Sequence, residues 1–346
     1  MQCKFITFFF LFSLFTIFFY SQTIKERGYF RIVFYNVENY FDIYDDPEKN
    51  DNEFTPNGLR KWTYDKYKKK QKRIYKVLTA IGEEEMPEIV GLCEVENCFV
   101  LKELINNTPL KKYNYNYVHY ESPDKRGIDV AFLYREDKFK VISSKNFRII
   151  FEWDTLKKTR DILYVLGHSI SYDTIHFFVN HWPSKLGGKS ISEPYRIKCA
   201  QILRSLIDSI FSLNSNAYII IMGDFNDNPT SQSITQHLKA IANFNDIKDN
   251  EIYNLGYVCY MKNKYSVKHD DFWDLIDLFF VSGTLLNKKN NIYTFSEAMN
   301  VFDADFLLEV DESNFGYKPK RTYIGYKYND GFSDHLPIYL DIFKKN

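Results

Sequence analysis

The segment AYIIIMGDFNDNP, residues 217–229, constrains the fold of this chain more than any other stretch. Residues 218–222 are an unbroken apolar run, which predicts a strand buried on both faces and ended by Gly223. Asp224 and Asn226 follow two residues apart, so a rigid strand end can point a carboxylate and an amide into one cleft. An Asx-rich turn after a core strand would give the same residues, and the rest of the chain has to decide between these interpretations.

The charge of the chain does not point to a binding partner. The 346 residues carry 45 basic and 45 acidic side chains, so no net field indicates nucleic acid or a membrane surface. The length is sufficient for one large α/β domain, and no linker, internal repeat or low-complexity tract divides the chain. We therefore expect a single domain over residues 23–346.

The first 22 residues have the layout of a secretory signal peptide. Lys4 precedes an apolar run over residues 5–20, and small and polar residues follow it. The run is shorter than the ~20 residues that a membrane span needs, so a membrane anchor is only the alternative. We expect a secreted or periplasmic protein. Export permits disulfides, but Cys93 and Cys199 lie in apolar patterns and are expected to be buried thiols.

Polar side chains also border four other strand-like segments. FRIVFY ends at Asn36, PEIVGL ends at Cys93 and Glu94, the run at 174–179 ends at Asn180 and His181, and the last strand at 338–342 begins after Asp334 and His335. Burying Glu94 at a strand end is costly unless a positive group such as a metal ion lies against it, whereas a surface carboxylate costs little. A lone histidine such as His181 is more often structural, but it can also donate to a phosphate or protonate a leaving oxygen.

Two further residues call for a partner. Arg126 lies in the turn ESPDKRG, where its guanidinium matches the geometry of a phosphate, although an exposed arginine in a turn is usually idle. Asp277 interrupts the apolar run WDLIDLFFVS. A buried carboxylate there needs a hydrogen-bond partner, and a histidine is the natural one.

Other segments allow only coarse predictions. Residues 64–81 have helical periodicity, with apolar side chains on one face and lysines, Lys70 among them, on the others. A second helix is expected after Pro194, and a short one near residues 234–242. The acidic stretch at 42–57 is interpreted as a solvated surface loop, with a calcium site as the alternative.

In order and spacing, these motifs resemble those of the endonuclease/exonuclease/phosphatase superfamily. They are FYNVEN with Asn36, GLCEVEN with Glu94, VNHWPS with His181, GDFNDNP with Asp224 and Asn226, LIDLFFVS with Asp277, and SDHLPI with Asp334 and His335. The set spans residues 30–342. The resemblance implies an α/β fold, a four-layer αββα sandwich in which two mixed β-sheets pack face to face, with helices outside and the site at one end of the strands.

The resemblance also implies a metal site and a set of catalytic roles. Glu94 would be the main ligand of Mg²⁺, with Asn36 and Asp334 close to the same ion and Mn²⁺ as a substitute. Oxygen ligands suit such a hard cation. Asp224 would orient and deprotonate the attacking water, which Asn226 would hold together with the phosphate.

Two histidines would stabilise the charge that builds on the phosphate oxygens. They are His181 and His335, and Asp277 would orient His335. For His181 we expect Asp129 as the orienting carboxylate. The reaction would be in-line hydrolysis of a phosphate ester without a covalent intermediate.

The substrate class stays open between two kinds of phosphoester, with Arg126 and Asn180 expected to contact the substrate. We favour a secreted, monomeric, Mg²⁺-dependent endonuclease that acts on nucleic acid and has no protein partner. Because no basic stripe with interleaved aromatics is present, the alternative is a phosphatase or phospholipase C-like hydrolase of sugar, inositol or sphingolipid phosphoesters. A binding protein on an inactive enzyme scaffold is disfavoured, since every expected catalytic position is filled.

The signal segment generates the first prediction. Expressed in an exporting host, the protein should lose its first residues and begin near Gln22, free of the membrane. N-terminal sequencing of the recovered protein measures this. An intact Met1 in the membrane fraction would support the anchored alternative instead.

Overall fold

Two β-sheets form the interior of the protein in the computed structural model, which describes residues 28–185 and 187–345. The predicted signal peptide, residues 1–22, lies outside the described residues. Across the described part of the chain, no helix combines the length and the apolar character that crossing a membrane requires.

Within residues 28–185 and 187–345 the main regular elements are strands and four α-helices. The helices are α1 (Tyr64–Gly82), α2 (Cys98–Asn106), α3 (Lys189–Leu213) and α4 (Gly256–Met261). The strands are β1 (Phe30–Tyr40), β2 (Ile89–Val95), β3 (Tyr115–His119), β4 (Asp129–Arg135), β5 (Phe139–Phe147), β6 (Ile162–Ser169), β7 (Thr174–His181), β8 (Tyr218–Asp224), β9 (Ile252–Asn254), β10 (Val267–His269), β11 (Phe272–Asp274), β12 (Asp277–Ser282), β13 (Ile292–Tyr293), β14 (Met299–Val301), β15 (Leu308–Val310), β16 (Tyr317–Pro319), β17 (Tyr323–Ile324), β18 (Lys327–Tyr328) and β19 (Ile338–Lys344).

Both large sheets are mixed, as the sequence predicts. The first has seven strands in the order β13-β19-β1-β2-β4-β3, with β14 also paired to β19. The second has six strands in the order β5-β6-β7-β8-β12-β9. In each sheet one neighbouring pair runs parallel, β1 with β2 and β7 with β8. The sheets and helices match the predicted αββα sandwich.

The parallel pairs explain where the polar strand ends meet. Parallel neighbours need a crossover, usually a helix, and α1 and α3 supply it between β1 and β2 and between β7 and β8. Each crossover brings two strand ends to the same edge of its sheet.

The two sheets pack closely face to face. A Cβ at Gly91 in β2 would lie 2.8 Å from the sulfur of Met222 in β8. The rings of Phe132 and Phe177 pack across the same interface with centroids 5.1 Å apart and their planes inclined at 54°.

Helix α1 begins at the predicted residue and ends one residue later than predicted, at Gly82. One lysine on this helix is buried, contrary to the prediction. The apolar face of the helix, which includes Ile74 and Leu78, is buried. Lys70 was predicted on an outer face, and this is wrong: its side chain is buried, and its ammonium donates to Thr322 Oγ1 at 2.7 Å and to the Phe332 carbonyl at 2.6 Å. The 320–332 segment covers this side of the helix and supplies the acceptors.

Several other boundaries differ from the sequence-based predictions. Helix α3 begins at Lys189, five residues before Pro194. The helix expected near 234–242 is a single π-helical turn, Ser233–His237. Asp277 was expected inside a strand, but it is the first residue of β12. The extended conformation is interrupted after β11 ends at Asp274. Strand β5 was not predicted, since four of its nine residues are exposed and its apolar alternation is weak.

The cysteines after the first 27 residues are free thiols. Cys93 and Cys199 are buried, as expected, and Cys259 is buried as well, whereas Cys98 is exposed. The described part of the protein is therefore held together by packing and hydrogen bonds without a disulfide among these four residues.

Gly223 in β8 has no room for a side chain beside the neighbouring strand β7. A Cβ there would lie 2.5 Å from the carbonyl oxygen of Asn180. The Gly223→Ala substitution should therefore force the two strands apart and destabilise the protein by about 1–3 kcal/mol, the usual cost of overpacking. A lower melting temperature, measured by calorimetry, is the expected outcome. An unchanged melting temperature would show that the strand ends have room to relax.

Candidate active site

The candidate active site lies where the ends of both sheets meet. Asp224 is the last residue of β8, and Asp277, the first residue of β12, lies directly opposite it in the antiparallel register. Asn36 of β1 reaches across from the other sheet, and its amide donates to Asp224 Oδ2 at 3.1 Å. One hydrogen bond thus links residues of the two sheets that are 188 positions apart.

The turn after β8 is tied to helix α3 by a buried ion pair. Asp227 lies 2.8 Å from the Arg196 guanidinium and accepts a hydrogen bond of 2.6 Å from Ser233. Arg196 also donates to the carbonyl of Pro183, which follows β7. Both loops at the end of the second sheet are therefore fixed to the same helix side chain.

Asp224 is buried and surrounded by hydrogen-bond donors. Its Oδ1 accepts the backbone N–H of Asn226 at 2.9 Å, and its Oδ2 lies 3.6 Å from His181 Nε2 and 3.8 Å from His335 Nε2. Burial raises the pKa of Asp224 to about 7, even though the nearby His335 acts to lower it. A carboxylate with a pKa near neutrality is a suitable general base.

Asp277 and His335 form the pair that the sequence predicts. His335 Nδ1 lies 2.7 Å from Asp277 Oδ2, which also accepts a hydrogen bond of 2.6 Å from Ser266. Burial acts to lower the pKa of His335, but the charge and hydrogen bond of Asp277 outweigh it and hold that pKa well above its usual value. The carboxylate fixes the ring so that Nε2 faces Asp224.

Asp129, the carboxylate expected to orient His181, contacts other groups. Asp129 accepts from the backbone N–H of Ser122 at 2.9 Å and lies 3.2 Å from His119 Nε2. It therefore pairs with His119, and the expectation that it orients His181 is wrong. The Nδ1 atom of His181 has no hydrogen-bond partner among the described residues. Burial lowers the pKa of His181 well below its usual value, with the Arg160 charge adding to the effect.

Two amides support the loops around these groups. Asn226 has a left-handed backbone with φ of 50°, and its side chain donates to the Trp182 carbonyl at 2.9 Å. Asn180 is fully buried, accepts from the Trp182 indole at 3.2 Å and donates to the Met222 carbonyl. The contacts of Asn180 are internal, so they give no support to the predicted substrate contact.

The predicted metal ligands lie on the side of the first sheet. Glu94 has φ of 61°, a left-handed conformation that costs a residue with a side chain roughly 1–2 kcal/mol. Its Oε2 accepts the backbone N–H of Asn39 at 2.8 Å, and its Oε1 lies 3.6 Å from Arg126, whose side chain is half exposed. The strained backbone turns this carboxylate out of the strand and toward the cleft edge.

A network that the sequence does not reveal surrounds Asp334. Arg321 donates to Asp334 at 2.9 Å and to Glu38 at 3.1 Å. Burial raises the pKa of Glu38 to about 7, and the negative charge of Asp334 contributes to the rise. Glu38 was visible as the acidic residue two positions after Asn36, but Arg321 lies in a segment with no periodic pattern, so no signal pointed to it.

The donor chemistry of the predicted ligands fits a hard divalent cation. Asn36, Glu94 and Asp334 offer amide and carboxylate oxygens, which are the ligands of Mg²⁺ in proteins. Two other groups of potential ligand atoms, each within 4.8 Å of one another, share Asp224. One includes the Asp277 and His335 atoms that already bond each other. The other includes Cys93, whose thiol pKa burial raises well above its usual value, so that the thiol stays protonated.

Comparison with known proteins identifies the family of the chain. A sequence profile described as "Endonuclease/Exonuclease/phosphatase family" matches residues 31–344. The chain belongs to the endonuclease/exonuclease/phosphatase family. This superfamily consists of phosphoesterases, and its members generally depend on divalent metal ions. No curated protein sequence matches the chain significantly.

Solved structures share the fold at low sequence identity. The human Nocturnin catalytic domain with bound sulfate has a TM-score of 0.53 and 16% identity, covering 91% of this chain and 94% of that one. A mannosyl-6-phosphatase of Bacteroides thetaiotaomicron has a TM-score of 0.55 and 16% identity, covering 90% and 99%. TDP2 of D. rerio with a single-strand DNA product has a TM-score of 0.54 and 12% identity, covering 90% and 98%. At such identity these structures establish the fold and no substrate.

The Asp277–His335 contact generates a kinetic prediction. Asp277→Asn keeps the shape of the side chain but removes its charge, so kcat for phosphoester hydrolysis should fall about 10²-fold or more, with folding largely kept. His335→Ala should be at least as damaging. Because the two residues act as a unit, the double variant should be little worse than the worse single one.

Steady-state kinetics with melting curves test this prediction. Losses that multiply in the double variant would mean that the two residues work independently. A normal kcat with a lower melting temperature for Asp277→Asn would make the pair structural.

Proposed function

We propose that this member of the family hydrolyses phosphate esters by in-line attack of a water molecule, with Mg²⁺ as its metal ion. The observation that carries the proposal is the buried Asp224, with a pKa of about 7, held among Asn36, Asn226 and the paired His335. A carboxylate poised in this way accepts a proton from water near neutral pH.

Asp224 and Asn226 would handle the attacking water. Asp224 Oδ2, already fixed by the Asn36 amide at 3.1 Å, would receive the water proton. Asn226 is anchored to Trp182 at 2.9 Å and would help to hold the water and the phosphate. Bound by Glu94 with Asn36 and Asp334, Mg²⁺ would supply Lewis-acid stabilisation of the phosphate charge.

The two histidines would have different charges in the same site. His335 is held as a cation by Asp277 and would offer its Nε2 proton to a phosphate oxygen. His181, whose pKa burial lowers, would be a neutral hydrogen-bonding group. Environments that push two pKa values apart are how active sites assign different roles to like residues. The cationic His335 would therefore stabilise developing negative charge more than the neutral His181 does.

The sequence-based preference for a nuclease stays a prediction, as does secretion. The similar structures include one bound to a DNA product and one named as a mannosyl-6-phosphatase, so neither substrate class is favoured by the comparison. Hydrolysis of plasmid DNA, RNA, sphingomyelin and small phosphomonoesters by the purified protein with Mg²⁺ separates the two. A nuclease would degrade the nucleic acids best, and inactivity toward every substrate would contradict the proposal.

Metal dependence is tested with a matched pair of carboxylates. EDTA should abolish hydrolysis, and Mg²⁺ or Mn²⁺ should restore it, because the predicted ligands offer oxygen atoms. Glu94→Gln should weaken Mn²⁺ binding at least about 10-fold. Glu96→Gln is the control, since Glu96 is buried two residues away and accepts from the backbone N–H of Asp42 at 2.5 Å.

Equilibrium binding of Mn²⁺, followed by electron paramagnetic resonance, gives a readout independent of activity. Equal losses for the Glu94 and Glu96 variants would show that the wrong carboxylate was chosen. Full activity in EDTA would remove the metal from the mechanism.

A further inference from the structure

A separate cavity opens beside the predicted metal ligands. It has a volume of about 270 Å³. Its walls come from three parts of the chain, the end of β1, the 54–60 loop and the 321–325 segment, and the lining residues that matter are Asn39, Phe54, Arg60, Arg321 and Tyr323. Neither loop contributes to the catalytic residues described above, so the cavity is available for another part of a substrate.

Two hydrogen bonds connect this cavity to the metal ligands. The backbone N–H of Asn39 bonds Glu94 at 2.8 Å, and Arg321 bonds Asp334 at 2.9 Å. A molecule in the cavity would therefore lie one residue away from both predicted ligands.

Arg60 is held rigidly on one wall of the cavity. Its guanidinium carbon lies 4.8 Å from the ring centre of Phe54, 5.1 Å from that of Tyr323 and 5.5 Å from that of Tyr326. It donates to the Gly325 carbonyl at 2.9 Å and lies 3.2 Å from Glu53. A guanidinium fixed in this way offers its remaining N–H groups with little loss of entropy.

The charges of the cavity are balanced. Arg60 is paired with Glu53 at 3.2 Å, and Arg321 lies between two carboxylates, Glu38 at 3.1 Å and Asp334 at 2.9 Å, so neither guanidinium is left without a carboxylate. Balanced pairs present hydrogen-bonding groups without a net field, which suits neutral hydroxyl groups better than a second phosphate.

The shape of the cavity also argues against a run of nucleotides. Its volume lies just below the roughly 300–1,000 Å³ of drug-sized ligand sites, which is enough for one ring. Binding of single strands relies on exposed aromatic faces along an open basic groove. Phe54 and Tyr323 are buried and Arg60 lies over their rings, so neither offers an open face to a base. Tyr326 is exposed but does not line the cavity.

We propose that this cavity holds a single sugar ring or similar polyol, so that the substrate is a small sugar phosphate. The inference rests on the proposed phosphoesterase function. Arg60, Arg321 and the amide of Asn39 hydrogen-bond the hydroxyl groups, while the phosphate lies at the strand ends near Asp224. Arg60 is then a specificity residue outside the catalytic set.

The test compares substrates that share a phosphate and differ in hydroxyl groups. The full chain is assayed with Mg²⁺ on glucose 6-phosphate, mannose 6-phosphate, propyl phosphate and a single-stranded oligonucleotide. The hexose phosphates should be the best substrates by kcat/KM. Arg60→Gln should reduce the preference for hexose phosphate over propyl phosphate at least about 10-fold, mainly through KM.

A matched arginine controls for loss of packing. Arg73 also lies over a ring, 5.6 Å from the centre of Phe332, and pairs with Asp330 at 2.7 Å, but it does not line the cavity. Arg73→Gln should leave the preference unchanged. If Arg60→Gln does not fold, Asn39→Gly removes a second donor while tolerating the φ of 54°, and it should lower the same preference.

Each result is decisive. Equal kcat/KM for propyl and hexose phosphates, an unchanged preference in both cavity variants, or the oligonucleotide as best substrate would overturn the sugar inference while leaving phosphoester hydrolysis intact. Inactivity on all four esters would refute the proposed function instead. Calorimetric titration with glucose 6-phosphate then tests separately whether the cavity binds the sugar. Binding that Arg60→Gln weakens would support the sugar inference, and absence of binding would overturn it.

Discussion

The burial of Asp224 is the constraint on which the rest of the site depends. An isolated buried carboxylate stays protonated and is no base, whereas an exposed one is too acidic to remove a proton from water. The amide of Asn36, the N–H of Asn226 and the nearby His335 offset part of the burial cost and leave the pKa at about 7. Both the chemistry and the fold thus need these partners in place.

The partners of Asp224 come from both sheets. Asp224 and Asp277 come from neighbouring strands of one sheet, but Asn36 comes from the other and His335 from the loop before β19. The two crossover helices bring the relevant strand ends to one edge, and packing such as Met222 against Gly91 sets the distance between the sheets. The hydrogen bond between Asn36 and Asp224 is therefore a consequence of sheet packing, and it would be lost if the sheets slid.

The sequence predicts those parts of the structure that a buried polar group or an apolar run makes obligatory. The central strands were predicted because nothing else accommodates runs such as 218–222. A histidine partner for Asp277 was predicted because a carboxylate in an apolar segment needs one; the family resemblance identified it as His335, and the observed 2.7 Å confirms the contact. Helix α1 follows from its apolar periodicity, whereas the two mixed sheets were predicted from the family resemblance of the ordered motifs.

The rest depends on which of several equivalent partners lies nearby in space. Both His119 and His181 stand at the end of a strand, and nothing in the sequence distinguishes them as partners of Asp129, which pairs with His119. Lys70 lies on the polar side of α1 by periodicity, and its acceptors come from the irregular 320–332 segment. The first pairing is set by the neighbouring strands β3 and β4, and the second by a loop that has no periodic pattern.

Those same irregular loops determine what reaches the catalytic groups. The strand ends supply the carboxylates, amides and histidines, and they are fixed by the cores of the two sheets. The 54–60 and 321–325 segments carry no catalytic residue, yet they enclose the space beside Glu94 and Asp334. Loops tolerate sequence change far better than sheet cores do, so a chain can keep the strand-end chemistry while its loops change the group that fits beside it. In the proposed sugar site, Arg60 is fixed among three rings, so that it would select this group through hydrogen bonds and not through stacking.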